Sequence, residues 1–167
     1  MNLPGSLPAS GLSEKKRVVA GEWLQRVLET YPADSGRLLR LERDPFRNPV
    51  GHVLQEGLPV LVEEILGAMD RGRITSALDG IVRIRAVQDF TAGQAVAFVF
   101  LLRDVVRKHL GDHEEILAIA EQRIDELAVL AFDLFMTCRE QTYEIKANEL
   151  KRSMYVQTRL DRNRAIH

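Results

Sequence analysis

From Asp112 to His167 the chain contains neither glycine nor proline, which constrains its fold more than any other feature. Within that stretch Ile116, Ala120, Ile124, Leu127, Ala131, Leu134 and Cys138 recur in steps of four and three. This spacing lines up one face of an α-helix in a seam of a/d type. Asp112, with Glu115 three residues on, reads as the cap that starts it. The pattern continues more weakly through Ile145, and then Leu150, Met154 and Leu160. A helix reaching Met154 spans about 60 Å at 1.5 Å per residue. A compact domain of this size is only about 30–35 Å across. The end of this helix is therefore expected to project beyond the globule. Tyr143, Ile145, Leu150 and Met154 are the candidate partner and dimer contacts, since apolar residues outside a core want a cover, and a second copy of the chain supplies one.

Helical periodicity also dominates the rest of the chain, and no segment alternates apolar and polar residues over strand length. Ser13 is expected to cap a first helix running to Thr30, stopped by Pro32. A short helix follows over Ala33–Leu41, with Leu38 and Leu41 facing inward. Asn48 and Pro49 signal a third, running to about Met69 on a stripe of Val50, Leu54, Leu58, Leu61 and Ile65. Gly57 inside it costs about 1 kcal/mol relative to alanine and points to close helix packing. The fourth covers about Ile74 to Val87, with Leu78, Ile81, Val82 and Ile84 toward the core. Thr91 and Gln94 form a capping box before the fifth, which Gly111 ends. Its middle, Ala95 to Leu102, is apolar all round, so it is expected to be surrounded by protein on every side.

Composition is that of a globular chain, 46% apolar and 28% charged. A net charge of -1 lacks the basic excess of a nucleic-acid groove, so no nucleic-acid partner is expected. The longest apolar run falls far short of the roughly 20 residues of a membrane span, so no membrane insertion is expected. A lone cysteine, Cys138, with no secretory signal fits a cytoplasmic location. As part of the seam, Cys138 reads as a small buried apolar residue.

Candidate chemistry is sparse. His52, His109, His113 and His167 make no H-x-x-x-H pair with a third ligand, so no metal is expected. No nucleophile elbow and no glycine-rich phosphate loop occur, so no catalytic residue is named and the chain reads as a non-enzyme. Glu63-Glu64 and Glu114-Glu115 read as solvated faces or dipole complements. The polar cluster Arg83, Arg85, Gln88 and Asp89 stands out among Ile81, Val82, Ile84 and Val87. Arg83 and Arg85 fall on different sides of a helix, so one of them faces apolar neighbours. A half-buried arginine asks for an acceptor, and Asp89, Asp44 or a helix C-terminus are the candidates; the rival reading is an anion or partner contact.

Asp44-Pro45-Phe46 with Asn48-Pro49-Val50-Gly51, Ile84-Arg85-Ala86-Val87-Gln88-Asp89-Phe90, and Gln94 to Leu102 resemble one family in order and spacing. So do Ile124-Asp125, Ala131-Phe132-Asp133, Cys138-Arg139-Glu140 and Glu144. That family is the N-terminal sensor domain of the RsbT co-antagonist proteins of the RsbRD type. The resemblance covers about Ser13 to Lys151 and implies a bacterial, non-catalytic regulatory input domain. It also implies an all-α, globin-like bundle of about six helices, without a cofactor, that dimerises and signals down a projecting C-terminal helix. Residues 1–12 then read as a flexible tail, 13–140 as the sensor-like domain and 141–167 as the extension of the last helix. With the chain ending at His167, a stand-alone copy without a STAS or kinase output domain is expected, acting on a separate protein partner. The alternative is a haem- or apolar-ligand sensor using Phe90, Phe98, Phe100, Phe132 and Phe135.

Overall fold

The computed structural model describes residues 9–42, 44–88 and 90–164, with the side chains of 9–10, 33–34, 38 and 158–164 left aside. Six helices account for nearly all of it: α1 (Ala9–Glu29), α2 (Ala33–Leu41), α3 (Pro49–Ile65), α4 (Arg71–Val87), α5 (Ala92–Leu110) and α6 (Glu114–Arg164). No strand occurs among the described residues. The α1 helix packs on α3 and α5, α3 on α4, and the first half of α6 on α5 and α4.

Local signals set most boundaries. Asn48 caps α3, its Oδ1 accepting from Gly51 N at 2.8 Å while its Nδ2 donates to Leu39 O and Glu42 O. The Thr91–Gln94 capping box forms in both directions. Three helix C-termini are closed by distant cations. Lys15 Nζ donates to His109 O at 2.7 Å, and Arg123 Nη1 donates to Ile65 O and Gly67 O. Arg139 Nη1 reaches Ala86 O near the end of α4. These bonds satisfy carbonyls that a helix end leaves open, and the charges complement its dipole. Gly57 lies where α3 meets α4; a Cβ there would stand 3.0 Å from Ile81 Cδ1, so the close approach inferred from sequence is present.

Several expectations are corrected. The α1 helix begins at Ala9, placing Ser13 inside it: Gly11 weakens a helix but does not break it. Leu41 is 69% exposed and Leu39 faces the core, while the side chain of Leu38 lies outside the described residues. The α3 helix ends at Ile65, and Met69 adopts φ 58° in the corner before α4, whose cap is Asp70. The α6 helix starts at Glu114, so Asp112 lies in the turn and His113 takes the cap position. The α5 helix is not enclosed: Ala97 is exposed and Phe100 is 48% exposed, because only α1 and α6 cover it broadly.

Glu64 is the sharpest departure. Glu63 is solvated and pairs with Lys16, but Glu64 is 1% exposed. Its Oε2 accepts from Asp70 N at 2.9 Å, its Oε1 pairs with Arg73, and its carbonyl accepts from Met69 N. It thus ties the α3–α4 corner from inside. Glu64→Ala is expected to destabilise the fold by about 1–3 kcal/mol, the cost of leaving a buried amide without its acceptor; chemical denaturation measures it.

Candidate functional site

Two features fall outside ordinary core packing: the outer face of α6 and the surroundings of Arg85. Burial along α6 runs through Ile116, Ala120, Ile124, Leu127, Ala128, Ala131, Phe135 and Cys138, which is the expected seam with Phe135 added. Leu134 is only partly buried. Beyond Thr142 every residue to Gln157 is exposed, so the helix leaves the globule there. Tyr143, Ile145, Leu150 and Met154 all lie exposed on this projecting part.

They do not share one face. Each residue turns the helix about 100°. On that count Tyr143, Leu150 and Met154 fall within roughly 40° of one another, whereas Ile145 lies on nearly the opposite side, along the line of the core seam. The same outer line carries Val129, Phe132 and Met136, all exposed and all still on the globule. An exposed apolar line therefore runs from the body onto the projection, over about 38 Å, with polar residues such as Arg139 and Glu140 between its apolar positions. Two ion pairs, Arg103 with Asp125 and Arg107 with Glu121, set the register of α5 against α6. Arg139 packs over the Tyr143 ring at 5.1 Å and donates from Nη2 to its hydroxyl.

The polar cluster does not come together as a set. Arg83 is exposed and paired with Asp79 one turn back. Gln88 is exposed at the α4 C-cap. Asp89 lies outside the described residues. Arg85 alone enters the core, 1% exposed. Its spacing from Leu78, Ile81 and Val82 puts it on the buried stripe of α4, a signal already present in the sequence. No carboxylate meets it among the described residues. Asp44, one expected acceptor, is exposed and instead takes the amide of Phe46. Arg85 donates from Nη1 to Gln94 O at 3.1 Å, while Nε and Nη2 have no partner. The Tyr31, Phe90 and Phe98 rings lie 5.4, 5.0 and 4.9 Å from its guanidinium carbon. Burial pushes the Arg85 pKa down and that of Tyr31 up, each opposed by the charge of the other.

The remaining titratable groups serve structure. Glu22 holds the end of α5 to α1, meeting Lys108 at 2.9 Å, His109 at 2.7 Å and Arg26 at 2.9 Å. The hydrogen bonds from Lys108 and His109 hold its carboxyl at about 2, against an ordinary 4.5. A carboxylate so depressed stabilises the fold above pH 4.5 and loses that contribution as pH falls toward 2. Glu22→Gln is thus expected to lower stability at neutral pH and to flatten the acid limb between those values, read by denaturation at a series of pH values. Cys138 is buried, and burial raises its thiol pKa. His52 is half-buried beside Glu56. No group of three or more His, Cys, Asp and Glu that could hold a metal ion occurs among the described residues. The aromatic set proposed for a haem pocket is scattered: Phe98 and Phe135 are buried, Phe90 is half-buried, and Phe100 and Phe132 face outward. No helix among the described residues is long and apolar enough to cross a membrane.

Comparison with known proteins adds a family. The pattern described as "RsbT co-antagonist protein rsbRD N-terminal domain" matches residues 17–150, most of the chain. A protein of Archaeoglobus fulgidus, described as an uncharacterized protein, is 27% identical over 142 residues, covering 81% of this chain and 84% of its own. No solved structure matches the chain.

Proposed function

The chain belongs to the family of RsbT co-antagonist protein rsbRD N-terminal domains, and on that premise we propose that it is a non-catalytic regulatory module that acts as a homodimer. In this reading the two copies pair along the outer stripe of α6, and the projecting end of α6 meets a protein partner in the cytoplasm. The family is one of regulatory, sensor-type domains, which supports the coarse assignment.

The observation that carries the dimer is the stripe Val129, Phe132, Met136, Tyr143, Leu150 and Met154. Exposed apolar residues at steps of three, four and seven, on a line distinct from the core seam, make the kind of surface that favours contact with a second chain. Their continuity from body to projection also supplies a relay. The first half of α6 is packed against α4 and α5, so a shift in that packing moves the exposed half as one rigid rod. A signal is then a bias between two packings, and the partner senses the position of the rod.

Light scattering on the full chain and on a chain truncated after Arg139 tests this. The full chain is expected to be a dimer and the truncated one a folded monomer, since the last buried α6 residue is Cys138. A monomeric full chain, or a dimer indifferent to the truncation, would overturn the pairing along the projection.

A further inference from the structure

Arg85 carries its charge into the core, and the geometry of what it leaves unpaired is specific. Nη1 is used by Gln94 O. Nε, Nη2 and the buried hydroxyl of Tyr31 have no partner at hydrogen-bond geometry, although the hydroxyl and the guanidinium lie close enough for each to ease the cost of charge on the other. Nε and Nη2 lie on the same edge of the guanidinium. Their N–H bonds run parallel, as the fork that a carboxylate takes with both oxygens. The three rings around the cation offset part of its lost hydration, but a ring face offers no acceptor in the plane of that edge. A buried charge with its bidentate edge idle is costly to a fold.

A cleft lies against it. Thr30, Tyr31, Ser35, Leu39, Phe90 and Gln94 are among the residues lining a cavity of about 510 Å³, between the α1–α2 turn, the end of α4 and the start of α5. This is within the size range of sites for small molecules. Tyr31 and Phe90, set edge to face at 5.8 Å, are at once the wall of the cleft and the cover of the guanidinium. Tyr31 stands just past the end of α1, where a side chain can swing without disturbing a helix. Among the described residues no cation lines this cleft, and the polar side chains there are hydroxyls and amides, so Arg85 provides its positive charge.

We propose that this cleft binds a small organic monocarboxylate with an apolar body. Its carboxylate sits on the Nε–Nη2 edge of Arg85 and accepts from the Tyr31 hydroxyl once that ring turns aside, while its body rests on Leu39 and Phe90. The assignment goes beyond the regulatory reading and does not depend on the dimer. A chain that proves monomeric leaves the site as it is, and a site that takes no ligand leaves the α6 stripe as it is.

Benzoate and hexanoate are the probes, with benzamide and inorganic phosphate as controls on the full chain. Binding is read by thermal shift, by the Arg85 Nε–H resonance and by the emission of Trp23. Trp23 is the sole tryptophan and stacks on Phe98, one of the three rings. Both carboxylates are expected to raise the melting temperature saturably and to move the Nε–H resonance. Arg85→Met should weaken binding about 10- to 100-fold, the worth of charge-assisted hydrogen bonds. That variant should fold, because a buried charge replaced by an apolar side chain of similar volume is often tolerated. If it does not, Tyr31→Phe, which removes only the hydroxyl, is expected to weaken binding severalfold, and an unchanged affinity there overturns the seat. The proposal is also overturned by no saturable response in the natural chain, by an equal response to benzamide, by tighter binding of phosphate, or by undiminished binding in Arg85→Met. Binding that appears only after Asp89→Asn would overturn it too, since Arg85 would then have its counter-charge within its own chain.

Discussion

Trp23→Ala is expected to remove about 3–5 kcal/mol of stability, the range for deleting a large buried ring. Trp23 is fully buried, stacks on Phe98 with centroids 5.9 Å apart, and donates from Nε1 to Phe98 O at 2.7 Å. It is therefore the main tie between α1 and α5, neither of which is continuous in sequence with the other. Against a total of about 5–15 kcal/mol, the loss is large. The melting temperature should fall by roughly 6–20 °C, at about 2–4 °C per kcal/mol for a chain of this size. Urea unfolding followed by circular dichroism gives the same quantity independently. Trp23→Phe should cost less, since one stacked ring stays while the indole donor and the second ring are lost. Phe98 also contacts the Arg85 guanidinium, so the alanine variant is expected to loosen the aromatic cage along with the core. A loss under about 1 kcal/mol would mean that the site collapses around the smaller residue, contrary to the packing described.

How much of this was legible beforehand follows from what periodicity reports. The Asn48-Pro49 start, the Thr91–Gln94 box and the α6 seam depend on residues a few positions apart; the first two formed as read, and the seam did so except that Phe135 is buried where Leu134 was expected. Expectations that depended on what lies across from a helix failed more often. Ala95 to Leu102 is apolar all round, yet Phe100 faces out, because composition does not say how many neighbours a helix has. Glu64 looked like one of a solvated pair, yet the turn at Met69 folds back over it and supplies an amide. That one of Arg83 and Arg85 faces an apolar side was legible, but not which, nor that it would lack a carboxylate, since its partners come from α1 and α5, far away in sequence. The outer stripe of α6 was half-read: Tyr143, Leu150 and Met154 were named. Phe132 reads in the sequence as a candidate pocket aromatic, and Val129 and Met136 carry no signal that sets them apart from core residues; only their exposure places all three on the outer line.

Leu150→Lys is expected to weaken the proposed dimer roughly a thousandfold, while Ile145→Lys should leave it within about tenfold. The two residues make a close comparison. They are 64% and 59% exposed, both lie on the projecting part of α6, and only five positions separate them. They differ in the line of the helix they occupy. Leu150 continues the stripe of Phe132, Met136 and Tyr143, whereas Ile145 prolongs the inner seam past the point where the globule ends. In a symmetric pair each substitution enters twice, so an interface residue worth about 2 kcal/mol per copy gives about 4 kcal/mol in all, or three powers of ten in Kd. Neither side chain contributes to the core, so both variants should melt as the natural monomeric domain does, which separates a lost interface from a lost fold. Sedimentation velocity over a range of concentrations reads the dissociation constant directly. Phe132→Lys, on the body, should act like Leu150→Lys if the pairing runs the length of the stripe, and weakly if the copies touch only at the projection. Should Ile145→Lys dissociate the dimer as readily as Leu150→Lys, the two copies would be meeting along the inner line, and the outer stripe would lose its role.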